Sequence, residues 1–435
     1  MIASHLDAYS GWLRTHSSVR WTGRVKQIVG NLVESAGPFC SVGEACEIVD
    51  STGARFAGEI VGFRGPTVLS MSLEKPQGIR FGDQVVTWGG RPGVRVGPEL
   101  LGRVIDATGK PLDSLGDYRA TRSIPVDGAA PLPLARQLIT EQLACGIRAV
   151  DGFLSCGRGQ RLGIFGGSGV GKSTLIGMMT RNTAADMTVL ALVGERGREV
   201  GEFLDLLGEE GRSKSVVVVS TSDQSPLLRI RAALTATAVA EYFAHQGKNV
   251  LLVVDSLTRF AMAQREIGLA AGEPPTAKGY TPSVLAMLAR LVERAGRFAN
   301  GSITAFYTVL MEGDDQQDPI VDTVRSLLDG HIVLDRKLAL KTHYPPISIL
   351  DSLSRLMPNI CAREHVEKAA SIRMLLAAYA QAEDLIQIGA YQKGTDPILD
   401  RAVAALPEIN SFLRQTPQES TALSATLSQI RSLPA

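Results

Sequence analysis

The sequence predicts an α/β protein in which a mostly parallel sheet flanked by helices is preceded by a β-barrel and followed by a helical domain. In the central part, four nearly continuous apolar runs alternate with glycine-rich turns and helix-like segments; they are Thr188 to Val193, Ser215 to Ser220, Asn249 to Val254 and Ile303 to Leu310. Such runs are typical of parallel strands that are buried on both faces. A length of 435 residues, long for one core, favours two or three domains.

Two changes in the pattern of the sequence mark the ends of this central part. From Gly23 to Trp88 short alternating runs are broken by glycine, which predicts a small β-barrel. After Pro358 the spacing of Ile372, Leu375 and Tyr379 predicts one apolar helix face. We therefore expect four parts: an amphipathic tail over 1–20, the barrel over 21–92, the α/β domain over 93–358 and the helical domain over 359–435.

The predicted tail carries Ile2, Leu6, Tyr9 and Leu13 at spacings of four, three and four residues. This spacing predicts one apolar stripe on a short helix. Two interpretations stay open, because the stripe can pack on its own domain or can require a partner chain.

The composition indicates a protein of a reducing compartment that does not use nucleic acid as its main partner. The 45 basic and 44 acidic residues give a formal net charge of +1, which provides no electrostatic footprint for nucleic acid. The five cysteines are odd in number and lack paired spacing, so neither a disulfide framework nor a zinc site is indicated. No apolar run approaches about 18 residues, and the first twenty residues lack the layout of a signal peptide. We expect a cytoplasmic protein.

A glycine-rich loop provides the clearest functional signal. Residues 166–173 read Gly-Gly-Ser-Gly-Val-Gly-Lys-Ser and match G-x-x-x-x-G-K-[ST] between a strand-like run and a helix-like run. In that setting backbone N–H groups converge on the α- and β-phosphates, Lys172 neutralises the β/γ oxygens and the Ser173 hydroxyl ligates magnesium. The chain is therefore predicted to bind a nucleoside triphosphate, and the predicted binding residues are Gly167, Ser168, Gly169, Val170, Gly171, Lys172, Ser173 and Thr174.

The apolar run Asn249 to Val254 ends in Asp255. At the carboxyl edge of a parallel sheet, beside the phosphate loop, an aspartate can hold magnesium through the ion's water shell. Asp255 is therefore predicted to be this acid. The alternative is an aspartate that only caps the following helix.

Another strand-like run ends at Glu195, which is followed by Arg196 and further charged residues. Hydrolysis needs a group that orients and polarises water, and Glu195 at the strand tip is the predicted base. The alternative is a surface carboxylate in a solvated charged run. Arg196 either senses the γ-phosphate or pairs with a neighbouring carboxylate, and the sequence leaves both possibilities open.

Beyond these single motifs, several segments together resemble the catalytic subunits of rotary ATPases; they are 157–161, 166–173, 194–196 and 255–259. Further segments are similar to the type III secretion ATPases, and most of all to the flagellar members of that family; they are 223–229, 272–283 and 389–394. The resemblance spans about Gly23 to Gln415. It implies a RecA-like P-loop ATPase core with a barrel and a helical domain, assembled as a homohexameric ring that binds ATP and Mg²⁺.

Two more site residues follow from the resemblance. Tyr344 matches the adenine-stacking tyrosine of the family, and Arg355 matches the arginine finger that a neighbouring subunit receives. Judged only by residue type, Tyr344 offers a flat apolar face and Arg355 a fixed cation, and either is more often structural. The segment from Asp314 to Pro319 departs from the family pattern and affects a local helix contact rather than the chemistry.

The resemblance also implies a function, namely Mg-dependent ATP hydrolysis that energises the export of flagellar proteins at the inner face of the cell membrane. The implied partners are a stator-like regulatory protein at the N-terminal tail and a coiled-coil stalk protein against the loop Gly272 to Ser283. An export gate and chaperone–substrate complexes are also implied.

Three alternatives remain. The first is a type III secretion ATPase of a virulence system. The second is a ring-shaped RNA translocase, which would carry a basic barrel with exposed aromatic residues, whereas Gly23 to Trp88 shows no basic cluster. The third is a non-catalytic ring subunit, which would lack Glu195 or the Lys172–Ser173 pair.

Overall fold

The structure, a computed structural model, describes residues 19–311, 315 and 318–434. The predicted apolar stripe of the N-terminal tail lies outside the described residues. So do Asp314, Gln316 and Gln317 of the segment that departs from the family pattern.

The N-terminal part is a closed antiparallel barrel of six strands, as the sequence predicts. Its strands are β1 (Trp21–Val29), β2 (Leu32–Ala36), β3 (Ala45–Val49), β4 (Arg55–Arg64), β5 (Thr67–Ser72) and β6 (Gln84–Thr87). They pair in the order β1-β2-β5-β4-β3-β6, and β1 closes on β6. Alternate side chains point inward because successive residues of a strand face opposite sides. The interior is filled by Val25, Val33, Cys46, Ile48, Ile60, Val68 and Val85.

The remaining strands follow the barrel. They are β7 (Gly93–Val96), β8 (Val104–Asp106), β9 (Arg122–Pro125), β10 (Gln142–Leu143), β11 (Cys156–Gly157), β12 (Arg161–Gly166), β13 (Met187–Glu195), β14 (Ser215–Thr221), β15 (Asn249–Asp255), β16 (Gly296–Arg297), β17 (Ser302–Leu310), β18 (Gly330–Leu334) and β19 (Ile347–Ser354). The four apolar runs of the sequence lie in β13, β14, β15 and β17.

The central sheet has the order β19-β18-β12-β17-β15-β13-β14-β8, and β16 pairs with β17 beside this path. All strands from β18 to β8 run parallel. Only β19 and β16 run antiparallel to their neighbours. The carboxyl ends of the parallel strands therefore meet at one edge of the sheet, and this edge carries the candidate site.

The helices cover both faces of the sheet and form the C-terminal part. They are α1 (Arg148–Phe153), α2 (Lys172–Asn182), α3 (Gly197–Ser213), α4 (Pro226–His245), α5 (Leu257–Ala271), α6 (Pro282–Val292), α7 (Pro319–Leu327), α8 (Arg336–Leu340), α9 (Met357–Ile360), α10 (Arg363–Gln387), α11 (Pro397–Leu413) and α12 (Leu423–Ser432). Within the described ranges, no helix has the length and apolar character needed to span a membrane.

Two hydrophobic cores lie on the two faces of the sheet, because side chains alternate along each buried strand. Val189 and Val193 of β13 pack with α4, α5 and α6 on one face. Leu190 and Leu192 of the same strand pack with α2 and α3 on the other, and this core continues into α10, α11 and α12. The predicted α/β class with a barrel and a helical domain is therefore confirmed.

The edge strand β19 depends on a glycine in β18. Gly330 pairs with Ser354, and a Cβ atom on Gly330 would lie 3.0 Å from Ser354 Cα and 2.9 Å from a methyl group of Leu162. We expect Gly330→Ala to lower the free energy of unfolding by about 1–3 kcal/mol, because β18 and β19 must separate. Urea titration measures this change.

The matched control is Gly201→Ala in α3, where an added Cβ meets no atom within 4 Å. This substitution should leave the free energy of unfolding unchanged or raise it by up to about 1 kcal/mol, since alanine favours the helix. If both variants were equally stable, the close packing of β18 on β19 would have no energetic consequence.

Candidate active site

The glycine-rich loop connects β12 to α2, as its motif requires. Gly171 is the N-cap of α2 and adopts φ 103° and ψ 19°, while Gly169 has φ 76°. Both conformations lie in the left-handed region, which glycine adopts without a steric penalty. The loop thus brings its backbone to the N-terminus of α2, where free N–H groups and the helix dipole favour a bound phosphate.

Lys172 and Asp255 form a buried ion pair at the carboxyl edge of the sheet, and the distance from Lys172 Nζ to Asp255 Oδ1 is 2.7 Å. Asp255 is the last residue of β15, and both side chains are largely shielded from solvent. Helix α5 begins with Ser256 as its N-cap, since the Ser256 Oγ accepts a hydrogen bond from Arg259 N at 3.4 Å. The helix therefore has a capping side chain other than Asp255.

Glu195 lies beside this pair because β13 extends beyond β15. Leu192 is opposite Asp255, so Glu195 stands three residues farther along at the carboxyl edge. Burial raises the pKa of the Glu195 carboxyl to about 7, the negative charge of Asp255 adds to the rise, and Lys172 and Arg259 oppose it. A carboxyl that titrates near neutral pH in a cleft has the property that a general base needs.

Arg259 is a site residue that the sequence reasoning did not assign. Its Nε lies 3.2 Å from Glu195 Oε1 as an ion pair, and within the described residues both atoms are buried without a hydrogen-bond partner. Arg259 Cδ would also lie 3.0 Å from a Cβ on Gly194, which has φ 70°. The signal available in the sequence was its position in the first turn after Asp255.

Arg196, by contrast, forms its ion pair at the surface. Its side chain is 72% exposed, and its nearest carboxylate is Glu199, with an Arg196 Nη1 to Glu199 Oε1 distance of 3.5 Å. This ion pair is one of the two possibilities that the sequence left open, and the γ-phosphate role stays a prediction.

Tyr344 lies next to the phosphate loop. A Cβ atom on Gly171 would be 3.7 Å from Tyr344 Cε1, so the ring edge borders the N-terminus of α2, and the side chain is 44% exposed. The backbone of Tyr344 is held from the C-terminal part, since its carbonyl accepts a hydrogen bond from Gln415 N at 2.8 Å. A flat ring in this position can stack on a base whose phosphates occupy the loop.

Gln415 and Arg148 fasten the C-terminal helices to this region. The buried Gln415 amide accepts a bond from Arg148 N at 2.9 Å and donates to Gly146 O at 2.8 Å. Arg148 Nε donates to Phe412 O at 2.7 Å, and Arg181 of α2 donates to Pro417 O at 2.7 Å. The sequence carried no signal for these bonds, because they join residues more than 230 positions apart.

Arg355 lies level with the amino ends of the parallel strands, opposite the edge that carries the phosphate loop. Its backbone N donates to Asp329 O at 3.0 Å, and Asp329 N donates to Arg161 O at 2.9 Å. The phosphate loop begins five residues after Arg161, which corresponds to about 16 Å along a strand. The Arg355 side chain is exposed and, among the described residues, has no hydrogen-bond or ion-pair partner. It therefore takes no part in the site of its own chain.

The side chains at the carboxyl edge fit a magnesium ion that is shared with phosphates. The Asp255 carboxylate and the Ser173 hydroxyl are hard oxygen donors, which Mg²⁺ prefers. In the part of the chain that the structure describes, no group of three or more His, Cys, Asp or Glu side chains is placed to hold a metal ion by itself. Mg²⁺ usually keeps several waters and takes oxygens from a bound nucleotide, so two protein donors are sufficient.

Three family models match successive parts of the chain. Residues 25–89 match the β-barrel domain of the ATP synthase alpha/beta family, and residues 146–354 match the nucleotide-binding domain of that family. Residues 361–432 match the C-terminal domain of the type III secretion ATPase EscN. The barrel, the sheet and the C-terminal helices thus correspond to three known units in the same order, and the fold and the site define a nucleotide-binding subunit of ATP synthase type.

Individual proteins are similar to this chain over nearly its whole length. The chain is 50% identical over 435 residues to the flagellum-specific ATP synthase of Treponema pallidum, and the match covers 100% of this chain and 97% of that protein. It is 48% identical to a type 3 secretion system ATPase of Sinorhizobium fredii, over 91% of this chain and 88% of that one.

A solved structure shows the same architecture. The assembled ATPase EscN of an enteropathogenic E. coli type III secretion system superposes with a TM-score of 0.91 at 44% identity. The same protein in complex with its central stalk EscO superposes with a TM-score of 0.87 at 43% identity. Both matches cover 95% of this chain and 100% of the other. The chain belongs to the family of flagellum-specific and type III secretion ATPases, which confirms the resemblance predicted from the sequence.

The raised pKa of Glu195 makes the stability of the fold depend on pH. In the unfolded chain a glutamate ionises near its ordinary value of 4.5, whereas in the fold Glu195 ionises at about 7. The stabilising contribution of the neutral form is complete below about pH 4.5 and is lost as the pH rises through 7. We expect Glu195→Gln to unfold with a free energy about 1–3 kcal/mol higher than wild type at pH 8 and to show no gain at pH 4.5.

The comparison uses urea titrations of both proteins at several pH values, with Glu209→Gln as control. Glu209 lies on α3, the helix that follows Glu195 in the chain, and its side chain is exposed. The control substitution should leave the free energy of unfolding within about 0.5 kcal/mol of wild type. A Glu195→Gln gain that is equal at every pH would contradict the burial of an ionised carboxylate.

Proposed function

We propose that this chain is a Mg-dependent ATPase that energises the export of flagellar proteins through a type III secretion apparatus. One observation carries the proposal: the phosphate loop, Lys172, Asp255 and Glu195 meet at one edge of the sheet in a chain that is 50% identical, over its whole length, to a flagellum-specific ATP synthase. ATP hydrolysis follows from the family and from this arrangement. That the exported proteins are flagellar is proposed from the similarity to the flagellum-specific relative.

The roles of the site residues follow from their positions. The backbone of Gly167 to Gly171 cradles the phosphates, and Lys172 provides the cation for the β/γ oxygens. Bound magnesium would supply positive charge to the same oxygens, held by the Ser173 hydroxyl and, through water, by Asp255. The adenine would stack on Tyr344.

Glu195 is the proposed general base. Its carboxylate stands beside the phosphate loop at the carboxyl edge, where it can accept a proton from the attacking water. A pKa of about 7 allows Glu195 to be substantially ionised at neutral pH and still to hold the proton that it takes from water. Arg259, whose charge faces the carboxylate, limits how far the pKa rises.

Arg355 is proposed to act on the site of a neighbouring subunit. It lies at the edge of the sheet remote from its own phosphate loop, with an exposed guanidinium. In a closed ring of identical subunits one face of each protomer meets a different face of the next, so such an arginine can reach the neighbour's site. The assembled EscN, which is similar over 95% of this chain, supports an oligomeric ring, and we propose a homohexamer.

Partners and location are proposed on the same basis. The complex of EscN with its central stalk EscO supports a coiled-coil stalk protein against the loop Gly272 to Ser283. A stator-like regulatory protein at the N-terminal tail, an export gate and chaperone–substrate complexes complete the proposed partners. We propose a cytoplasmic protein that associates peripherally with the inner face of the membrane.

One feature of the barrel makes a nucleic-acid control necessary. Phe39 and Phe81 are exposed on the barrel, and the Phe39 ring lies 5.4 Å from the ring of Trp21, which is also exposed. Exposed aromatic rings on a barrel can stack on bases. An RNA translocase with these rings would release phosphate faster when RNA is present, whereas a non-catalytic subunit would release none.

The direct test is phosphate release by the purified chain, with and without RNA. We expect release that RNA does not stimulate and that Lys172→Ala abolishes, because the triphosphate loses its cation and Asp255 loses its buried partner. Lys214→Ala, which removes an exposed lysine paired with Glu210, should keep wild-type turnover. Stimulation by RNA would support the translocase, and no release at any concentration would support the non-catalytic subunit.

The role of Glu195 predicts a kinetic signature. Since kcat/KM reports the free enzyme, we expect kcat/KM to rise with pH through about 7 as the Glu195 carboxyl ionises. Glu195→Gln should lower kcat by roughly 10²-fold or more, abolish this rise and leave nucleotide affinity within a few-fold of wild type. Equal losses of affinity and of kcat would argue for a structural role instead.

The position of Arg355 predicts cooperation between subunits. An arginine finger contributes about 10³- to 10⁵-fold in rate, so Arg355→Ala should stay slow at concentrations where wild type accelerates by assembly. Mixing Arg355→Ala with Lys172→Ala protein should restore phosphate release, because some interfaces then combine an intact loop with an intact finger. Mixed rings that are detected by light scattering but remain inactive would contradict action in trans.

A further inference from the structure

One hydroxyl group near the candidate site has no role in the mechanism above. Thr308 lies in β17, next to the end of β15, because Val254 pairs with Tyr307 and the following residues are Asp255 and Thr308. The Thr308 Oγ1 donates a hydrogen bond to Asp255 Oδ1 at 2.6 Å, and its side chain is completely buried. A distance of 2.6 Å is typical of a hydroxyl that donates to an ionised carboxylate.

The same oxygen of Asp255 therefore has two partners, Thr308 Oγ1 and Lys172 Nζ. In the proposed function Lys172 faces the β/γ oxygens of ATP, so it cannot give its full charge to Asp255 at the same time. A nearly buried carboxylate that loses its cation is strongly destabilised unless another positive group takes the place of that cation. The magnesium that enters with the nucleotide is such a group, and Asp255 is its proposed protein partner.

Thr308 is the partner of Asp255 that does not need to leave during this exchange. It belongs to the buried interior of the sheet rather than to the phosphate loop, and its backbone is fixed by pairing with neighbouring strands. The hydroxyl carries one hydrogen. Its other acceptor within reach is Val254 O at 3.4 Å, a much weaker bond than the one to Asp255.

We infer that Thr308 is a positioning residue for the magnesium-bound state: its hydroxyl holds the Asp255 carboxylate in place while Lys172 transfers from Asp255 to the phosphates. This inference rests on the proposed function, because it presumes that the loop binds ATP with magnesium. Thr308 touches neither nucleotide nor metal and acts only through Asp255.

Nucleotide binding with magnesium and nucleotide binding without it should depend differently on Thr308. Binding without metal uses the loop and Lys172, whereas binding with magnesium also uses Asp255. Loss of the Thr308 hydroxyl should therefore weaken the second kind and spare the first. A residue that only filled space in the core would alter both equally, through the stability of the sheet.

The experiment measures the dissociation constant of a fluorescent, non-hydrolysable ATP analogue in excess Mg²⁺ and in EDTA. For each variant, the dissociation constant in EDTA divided by that in Mg²⁺ gives the factor by which magnesium strengthens binding. We expect Thr308→Val, which keeps the shape and removes the hydroxyl, to reduce this ratio about tenfold or more, as a lost bond to a charged group implies. Thr308→Ser, which keeps the hydroxyl, should retain the wild-type ratio.

Thr304→Val is the matched control on the same strand. Thr304 is also buried, but its Oγ1 accepts a bond from Gly159 N at 2.8 Å near the other end of β17, about 13 Å from Thr308. This variant should keep the magnesium ratio of wild type even if its melting temperature falls. If Thr308→Val does not fold, the pair Thr308→Ser and Thr308→Ala provides the same contrast, since both have smaller side chains and differ in the hydroxyl.

Two results would overturn the inference. The first is a Thr308→Val or Thr308→Ala protein with the wild-type magnesium ratio, and the second is an equal loss of affinity in Mg²⁺ and in EDTA. A wild-type chain that binds the analogue in neither condition would instead contradict the proposed function. The failure of one hypothesis is thus distinguishable from the failure of the other.

Discussion

The parallel pairing of β12, β13, β15 and β17 is the constraint on which the rest of the structure depends. Parallel strands end at the same edge, so the phosphate loop after β12, Glu195 at the end of β13 and Asp255 at the end of β15 come together although they are up to about 90 residues apart. β19 shows the reverse case. Because it runs antiparallel to β18, the arginine that follows it stands at the opposite edge, about 16 Å away from the level of the phosphate loop along the strand direction.

Burial at this edge gives two chemically similar carboxylates different environments. One oxygen of Asp255 contacts both the Lys172 ammonium and the Thr308 hydroxyl. Glu195, farther out, is buried and faces the charge of Asp255, which together outweigh Lys172 and Arg259, and its pKa rises to about 7. The surroundings, rather than the residue type, thus separate a carboxylate suited to hold magnesium from one suited to accept a proton.

The edge is also where the three parts of the molecule are joined. Ser225, the N-cap of α4, donates to Leu73 O of the barrel segment at 2.7 Å, and Arg231 forms a 2.7 Å ion pair with Glu59 of β4. On the other face Gln415 connects the C-terminal helices to Gly146 and to the backbone of Tyr344. A displacement of the C-terminal helices would therefore act directly on the residue that borders the phosphate loop.

The sequence by itself determined the fold class and the core of the site. Apolar runs predict buried parallel strands because hydrophobic burial depends on local pattern, and the glycine-rich loop is recognisable because its left-handed backbone needs glycine at fixed positions. Asp255 directly follows such a run and Glu195 stands two residues after one, so both could be proposed from the sequence. Arg259, Thr308, Gln415 and the separation of Arg355 from its own loop were decided only by the tertiary structure. Their contacts depend on strand order and strand direction, and local periodicity does not encode which distant strands become neighbours.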